Sequence, residues 1–155
     1  MKISAILRKK SMCIVCKWNS GEEKVDLSIE HLDCSDCTRV TSIPVMGELK
    51  TLYCGGCKAL TAIPVQPNLK VLDCKRCTAL TSIPVMPKLH TLYCEQCPKL
   101  TAIPATKKLN RLYCTDCRSL TAIPQLPKLE VLDCQRCTSL TAIPNLPELI
   151  VLYCS

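Results

Sequence analysis

The chain has 155 residues, with 20 Lys/Arg against 13 Asp/Glu (net charge +7), 15 cysteines and only five aromatics, four Tyr and one Trp. The charge is spread out, six basic against three acidic residues in 1–28 and fourteen against ten beyond, whereas a nucleic-acid reader shows a dense basic stripe with stacking aromatics. No apolar stretch reaches the length of a membrane span, so neither nucleic acid nor membrane is an expected partner.

Residues 1–28, MKISAILRKKSMCIVCKWNSGEEKVDLS, stand apart from the rest. Arg8-Lys9-Lys10 interrupts the apolar run before a signal-peptide core forms, which points to the cytoplasm; so short a basic run reads as solvated. Met12, Ile14 and Cys16 alternate with Cys13, Val15 and Lys17, and Asn19-Ser20-Gly21 supplies turn chemistry. This predicts a short hairpin or a degenerate repeat as an amino-terminal cap, with Trp18 sealing the core.

From Ile29 the frame L-x-x-L-x-C-x-x-C-x-x-L-T-x-I-P-x-x-P-x recurs every 20 residues without insertion or deletion. Six full copies run from Ile29 to Glu148 and a seventh stops at Ser155. A fixed period of this kind predicts a solenoid over residues 29–155. In L-x-x-L-x-C the fourth and sixth residues point inward and the third and fifth outward, by the two-residue period of a strand. Stacked copies then form a parallel sheet with one strand per copy. The returning Ile-Pro segment, with its frequent second proline, favours extended or short 3₁₀ backbone over helix. Thr41, Thr61, Thr81, Thr101, Thr121 and Thr141 are expected to satisfy turn amides or carbonyls.

On Leu69, Leu72, Cys74, Cys77, Leu80, Ile83 and Pro84, and their equivalents in each copy, the frame resembles the leucine-rich repeat family. The resemblance covers residues 29–155. It departs from the family pattern in carrying cysteine at the sixth position, where leucine is usual, and at the ninth, where many members carry asparagine. The C-x-x-L spacing looks like the cysteine-containing subclass, and I-P-x-x-P resembles short repeats of bacterial effectors; the hybrid also looks like repeat proteins of giant viruses of amoebae. The resemblance implies an α/β-class, mostly β solenoid with a concave sheet face, a helix-poor convex side and a protein partner held on the concave face. For a viral or effector protein the cytoplasm would be the host's.

Six C-x-x-C pairs recur in register. Both cysteines fall at inward positions, where the thiol behaves as a small hydrophobe, so the leading expectation is a stacked column of core thiols with no cofactor. Two alternatives stay open: zinc between adjacent rungs, and disulfides between neighbouring copies. Cys13-x-x-Cys16, outside the frame, is the one pair open to exposure and redox chemistry. His31 and His90 occupy different positions in the frame, and no phosphate loop or nucleophile elbow appears. No enzyme is indicated.

Function is therefore sought where the copies differ. The fifth position reads Asp33, Tyr53, Asp73, Tyr93, Tyr113, Asp133, Tyr153, and the third includes His31 and Arg111. Positions seven and eight add Lys75, Arg76 and Arg136. The expected partner-binding set is Tyr53, Asp73, Lys75, Arg76, Tyr93, Arg111, Tyr113, Asp133 and Arg136, centred on Tyr93, Tyr113 and Arg111, because tyrosine offers broad contact area at low entropic cost. The competing reading is structural, since Tyr and Thr are good strand residues. A second function, self-assembly or a homodimer, is expected from the apolar last strand with Ile150, Val151 and Tyr153, because unpaired apolar edges invite pairing.

Overall fold

The computed structural model describes residues 13–21, 24 and 26–155; the expectations for MKISAIL, Arg8-Lys9-Lys10 and Met12 lie outside them. Seven three-residue strands appear in chain order: β1 (His31–Asp33), β2 (Thr51–Tyr53), β3 (Val71–Asp73), β4 (Thr91–Tyr93), β5 (Arg111–Tyr113), β6 (Val131–Asp133) and β7 (Val151–Tyr153). They form one parallel sheet in sequence order. Each residue pairs with its equivalent twenty positions on, as Leu72 does with Leu92. The expected helix-poor parallel solenoid is what the chain forms.

The register follows from backbone hydrogen bonding. The amides of the second and third positions both donate to the second-position carbonyl of the preceding copy, as Lys50 and Thr51 do to Glu30. At the other end of the strand the sixth-position amide donates to the fifth-position carbonyl of the following copy, as Cys74 does to Tyr93 at 2.8 Å. The chain then turns within C-x-x-C, where the amide of Cys77 donates back to the carbonyl of Cys74. The eighth position takes positive φ in the first six copies: Asp36, Gly56, Arg76, Gln96, Asp116 and Arg136. That conformation suits the third residue of a type II turn. It accompanies an amide aimed along the stack, Arg76 N–H to the Glu95 carbonyl at 2.8 Å.

The core is a column inside the turns. The central strand leucines Leu32 to Leu132, the paired cysteines of the inner copies, and the returning Leu60, Ile63 and their equivalents up to Leu120 and Ile123 are buried, while Leu140 and Ile143 are partly so. One core position escapes the sequence frame. The eighteenth residue of each copy, Met46, Gln66, Met86, Thr106, Leu126 and Leu146, is also buried. Gln66 fits there because its amide replaces the missing contacts. Its Oε1 accepts from Met46 N–H at 2.8 Å and its Nε2 donates to the Pro44 carbonyl at 2.9 Å.

The returning segments are extended and turn-rich. Thr81 and Thr101 amides donate to the carbonyls of Thr61 and Thr81, and Ala62 bridges Ser82. The frame threonines thus contribute backbone to the stack, while their side chains are exposed.

The cap departs from expectation. Ile14–Asn19 form a short helix, α1, rather than a hairpin strand. Period-two alternation misleads here because two consecutive residues, Val15 and Cys16, are both buried against the first copy, an arrangement a helix permits and a strand does not. Gly21 ends the helix with φ +78°, the left-handed conformation common after a helix, and its amide donates to the Trp18 carbonyl. Asn19 exchanges two hydrogen bonds with Ser42, docking α1 on the first return segment. Trp18 does not seal the core; it is 36 % exposed. No helix among the described residues is long and apolar enough to cross a membrane.

Candidate interaction surface

The outward residues of seven strands form one row per position, held in register by the ladder. In the fifth-position row Tyr93 and Tyr113 are adjacent partners on β4 and β5. Their rings stack at 4.9 Å between centroids and 7° between planes. Such a pair contributes about 0.5–1.5 kcal/mol beyond its area burial. Burial raises the Tyr93 hydroxyl above its ordinary range, with Tyr113 adding to the shift and Arg111 opposing it. Arg111 stands beside this pair on β5, exposed, and has no ion-pair partner among the described residues. Tyr53 lies apart, between Asp33 and Asp73 in its row, and is 41 % exposed.

The aspartates of the same row do a different job. Asp33, Asp73 and Asp133 each accept the amide two residues on, from Ser35, Lys75 and Gln135, at 3.0 to 3.3 Å. A carboxylate that folds back on its own turn holds the C-x-x-C loop in place. Asp73 is only 9 % exposed and also pairs with Lys75 Nζ at 3.1 Å. Asp133 takes a further bond from the Thr115 hydroxyl at 2.8 Å. The Tyr/Asp alternation therefore separates copies whose fifth residue displays a ring from copies whose fifth residue braces the turn.

The expected cationic contributors are similarly engaged. Arg76 pairs with Asp36 at 3.2 Å, and Arg136 pairs with Asp116 at 3.1 Å, which Arg118 also approaches. The Arg76–Asp36 pair is exposed on both sides and so weak, whereas Asp116 is mostly covered; the pairs leave Arg111 as the unpaired cation of the expected set among the described residues. Glu95 adds an acidic group between β4 and its turn. It is half-buried with one carboxylate oxygen unpartnered. Burial chiefly raises its pKa, with Asp73 adding to the shift.

Two features were missed by the sequence reading. Val45, Val65 and Val85 form an exposed apolar row on the return side; the identity of the seventeenth residue in three successive copies was a signal. The other is the bracing role of the aspartates, for which an acidic residue two places before the turn amide was the cue. The residues expected to self-associate lie at the last strand, with Ile150 78 % and Tyr153 51 % exposed and Val151 half-buried.

The cysteine column is a thiol–carbonyl ladder. Each ninth-position Sγ from Cys57 to Cys137 donates to the carbonyl of the preceding copy's sixth-position cysteine at 3.0–3.2 Å. The neighbouring thiol of the next copy, together with burial, pushes the Cys54, Cys74 and Cys94 pKa values well up, so these thiols stay protonated. Taken together, the surface offers an aromatic pair, a guanidinium unpaired among the described residues and a half-buried carboxylate on a sheet face set by a 20-residue register. No protein-family model, no curated protein and no solved structure matches the chain.

Proposed function

We propose that this chain is a non-enzymatic protein-interaction module of the leucine-rich repeat kind, binding a protein or peptide on its sheet face. The observation that carries the reading is the Tyr93–Tyr113 stack beside unpaired Arg111. Aromatic and arginine anchors dominate binding energy when they cluster at the centre of an interface, and a pre-stacked pair loses little rotamer freedom on binding. Fixed strands place all three side chains on adjacent rungs, which favours an extended partner running across them. A column of buried, unbridged thiols suits a reducing compartment such as the cytoplasm. Comparative affinity capture with wild type, Tyr93→Ala/Tyr113→Ala and the return-side control Gln125→Ala tests this. A partner held by wild type and control but lost from the double variant supports it; a partner held equally by all three refutes it.

A second reading is self-association through β7, supported by the exposure of Ile150, Leu152 and Tyr153 in and beside a strand that, among the described residues, pairs with β6 alone. The occupant would be the same strand of a second copy. Light scattering against concentration reads it: growth in mass suppressed by Ile150→Lys supports pairing, and constant monomer mass refutes it.

A further inference from the structure

The thiol–carbonyl ladder leaves out one ninth-position cysteine. Cys37 has no preceding copy to supply a carbonyl, and α1 occupies that place. The Cys16 side chain meets it there, with Sγ atoms 2.8 Å apart. Cys13, at the helix N-cap, brings a third thiol; its Sγ accepts the Cys16 amide at 3.4 Å. The three Sγ atoms all lie within 4.8 Å of one another. Among the described residues this is the one place where three metal-ligating side chains converge.

The sequence carries an independent sign. Cys13, Cys16, Cys34 and Cys37 form C-x2-C-x17-C-x2-C, a spacing that reads as a zinc site when both pairs meet in space. Here they meet through Cys37, while Cys34 is turned to Cys57. A disulfide would use two sulfurs and strand the third. A tetrahedral ion with Zn–S near 2.3 Å holds its ligand sulfurs roughly 3.8 Å apart, within the reach of this group after the Cys16–Cys37 pair opens by about 1 Å. Cys13 and Cys37 are half-buried rather than sealed, which leaves a path for entry.

We propose that Cys13, Cys16 and Cys37 bind a zinc ion that clamps α1 to the first repeat, the fourth position being filled from solvent. All three thiol protons pass to the buffer as the metal binds, so affinity falls as pH drops.

Zinc titration of the reduced full chain tests the site, read by elemental analysis and by the fluorescence of the single tryptophan, Trp18, two residues from Cys16. The expected result is one zinc per chain, bound at least tenfold more weakly by Cys13→Ser and Cys37→Ser, and unchanged in the ladder control Cys57→Ser. Cobalt binding to wild type should give a thiolate charge-transfer band, independent of whether any variant folds. Absence of stoichiometric zinc and of that band in reduced wild type would overturn the proposal. So would equal affinity in Cys13→Ser with its fold intact, or loss of zinc from Cys57→Ser alone.

Discussion

Arg76 and Asp36, forty residues apart in sequence, pair across an entire intervening copy, with Nη2 3.2 Å from Oδ1. What stands between them is Gly56, the one glycine at an eighth position. Its φ of +75° is the left-handed conformation of that position, and the Asp36 carboxylate lies where a side chain on Gly56 would begin. Glycine here serves the turn and the pairing of its two neighbours at once.

Gly56→Ala is therefore expected to destabilise the solenoid by about 1–2 kcal/mol, the cost of left-handed backbone for an L-residue. Asp36→Asn keeps a residue that tolerates the left-handed backbone at φ 58° and removes only the charge of an exposed ion pair, so it should cost no more than about 1 kcal/mol. Gln96, with φ 56°, supplies the converse: Gln96→Gly relieves strain and should raise the denaturation midpoint. Urea unfolding of the three variants checks the order.

Thr106 is 1 % exposed, at a core position its equivalents fill with Met, Leu or a fully bonded Gln, and its hydroxyl has no partner. A buried unsatisfied hydroxyl costs about 1–3 kcal/mol. Thr106→Val keeps the shape and removes that group, so it should stabilise the chain by roughly 1 kcal/mol. Denaturant midpoints read the gain; an unchanged midpoint would mean the hydroxyl is hydrated.

Glu95 supplies a pH test. Its folded pKa is raised above the ordinary 4.5 by burial and by Asp73, so the folded chain binds its proton more tightly than the unfolded chain. The associated stability is complete below 4.5 and is lost as pH rises through the folded value. Glu95→Gln removes this dependence. Its melting temperature should fall less than that of wild type between mildly acid and neutral pH, and exceed it at neutral pH.

The inward strand positions and both cysteine columns were legible in the repeat because the same residue types recur there in every full copy, buried in the inner ones. Position eighteen was not, since Gln66 and Thr106 interrupt the apolar set and only hydrogen bonding makes Gln66 acceptable inside. Left-handed backbone at position eight was hidden for the opposite reason: one glycine in six copies gives no pattern. The helix at Ile14–Asn19 was lost to an alternation that two consecutive buried residues, Val15 and Cys16, break only in three dimensions. In the candidate surface, the tyrosine row was readable, whereas the fate of Asp73 depended on a turn amide two residues away.

The central claim is that Tyr93 and Tyr113 anchor a partner. The direct measurement is calorimetric titration of the purified partner into wild type and Tyr93→Ala/Tyr113→Ala, with thermal melts of both proteins. A hot spot of about 2 kcal/mol or more predicts at least roughly 30-fold weaker binding, with the solenoid still melting cooperatively. Equal affinity in the folded double variant would contradict the claim.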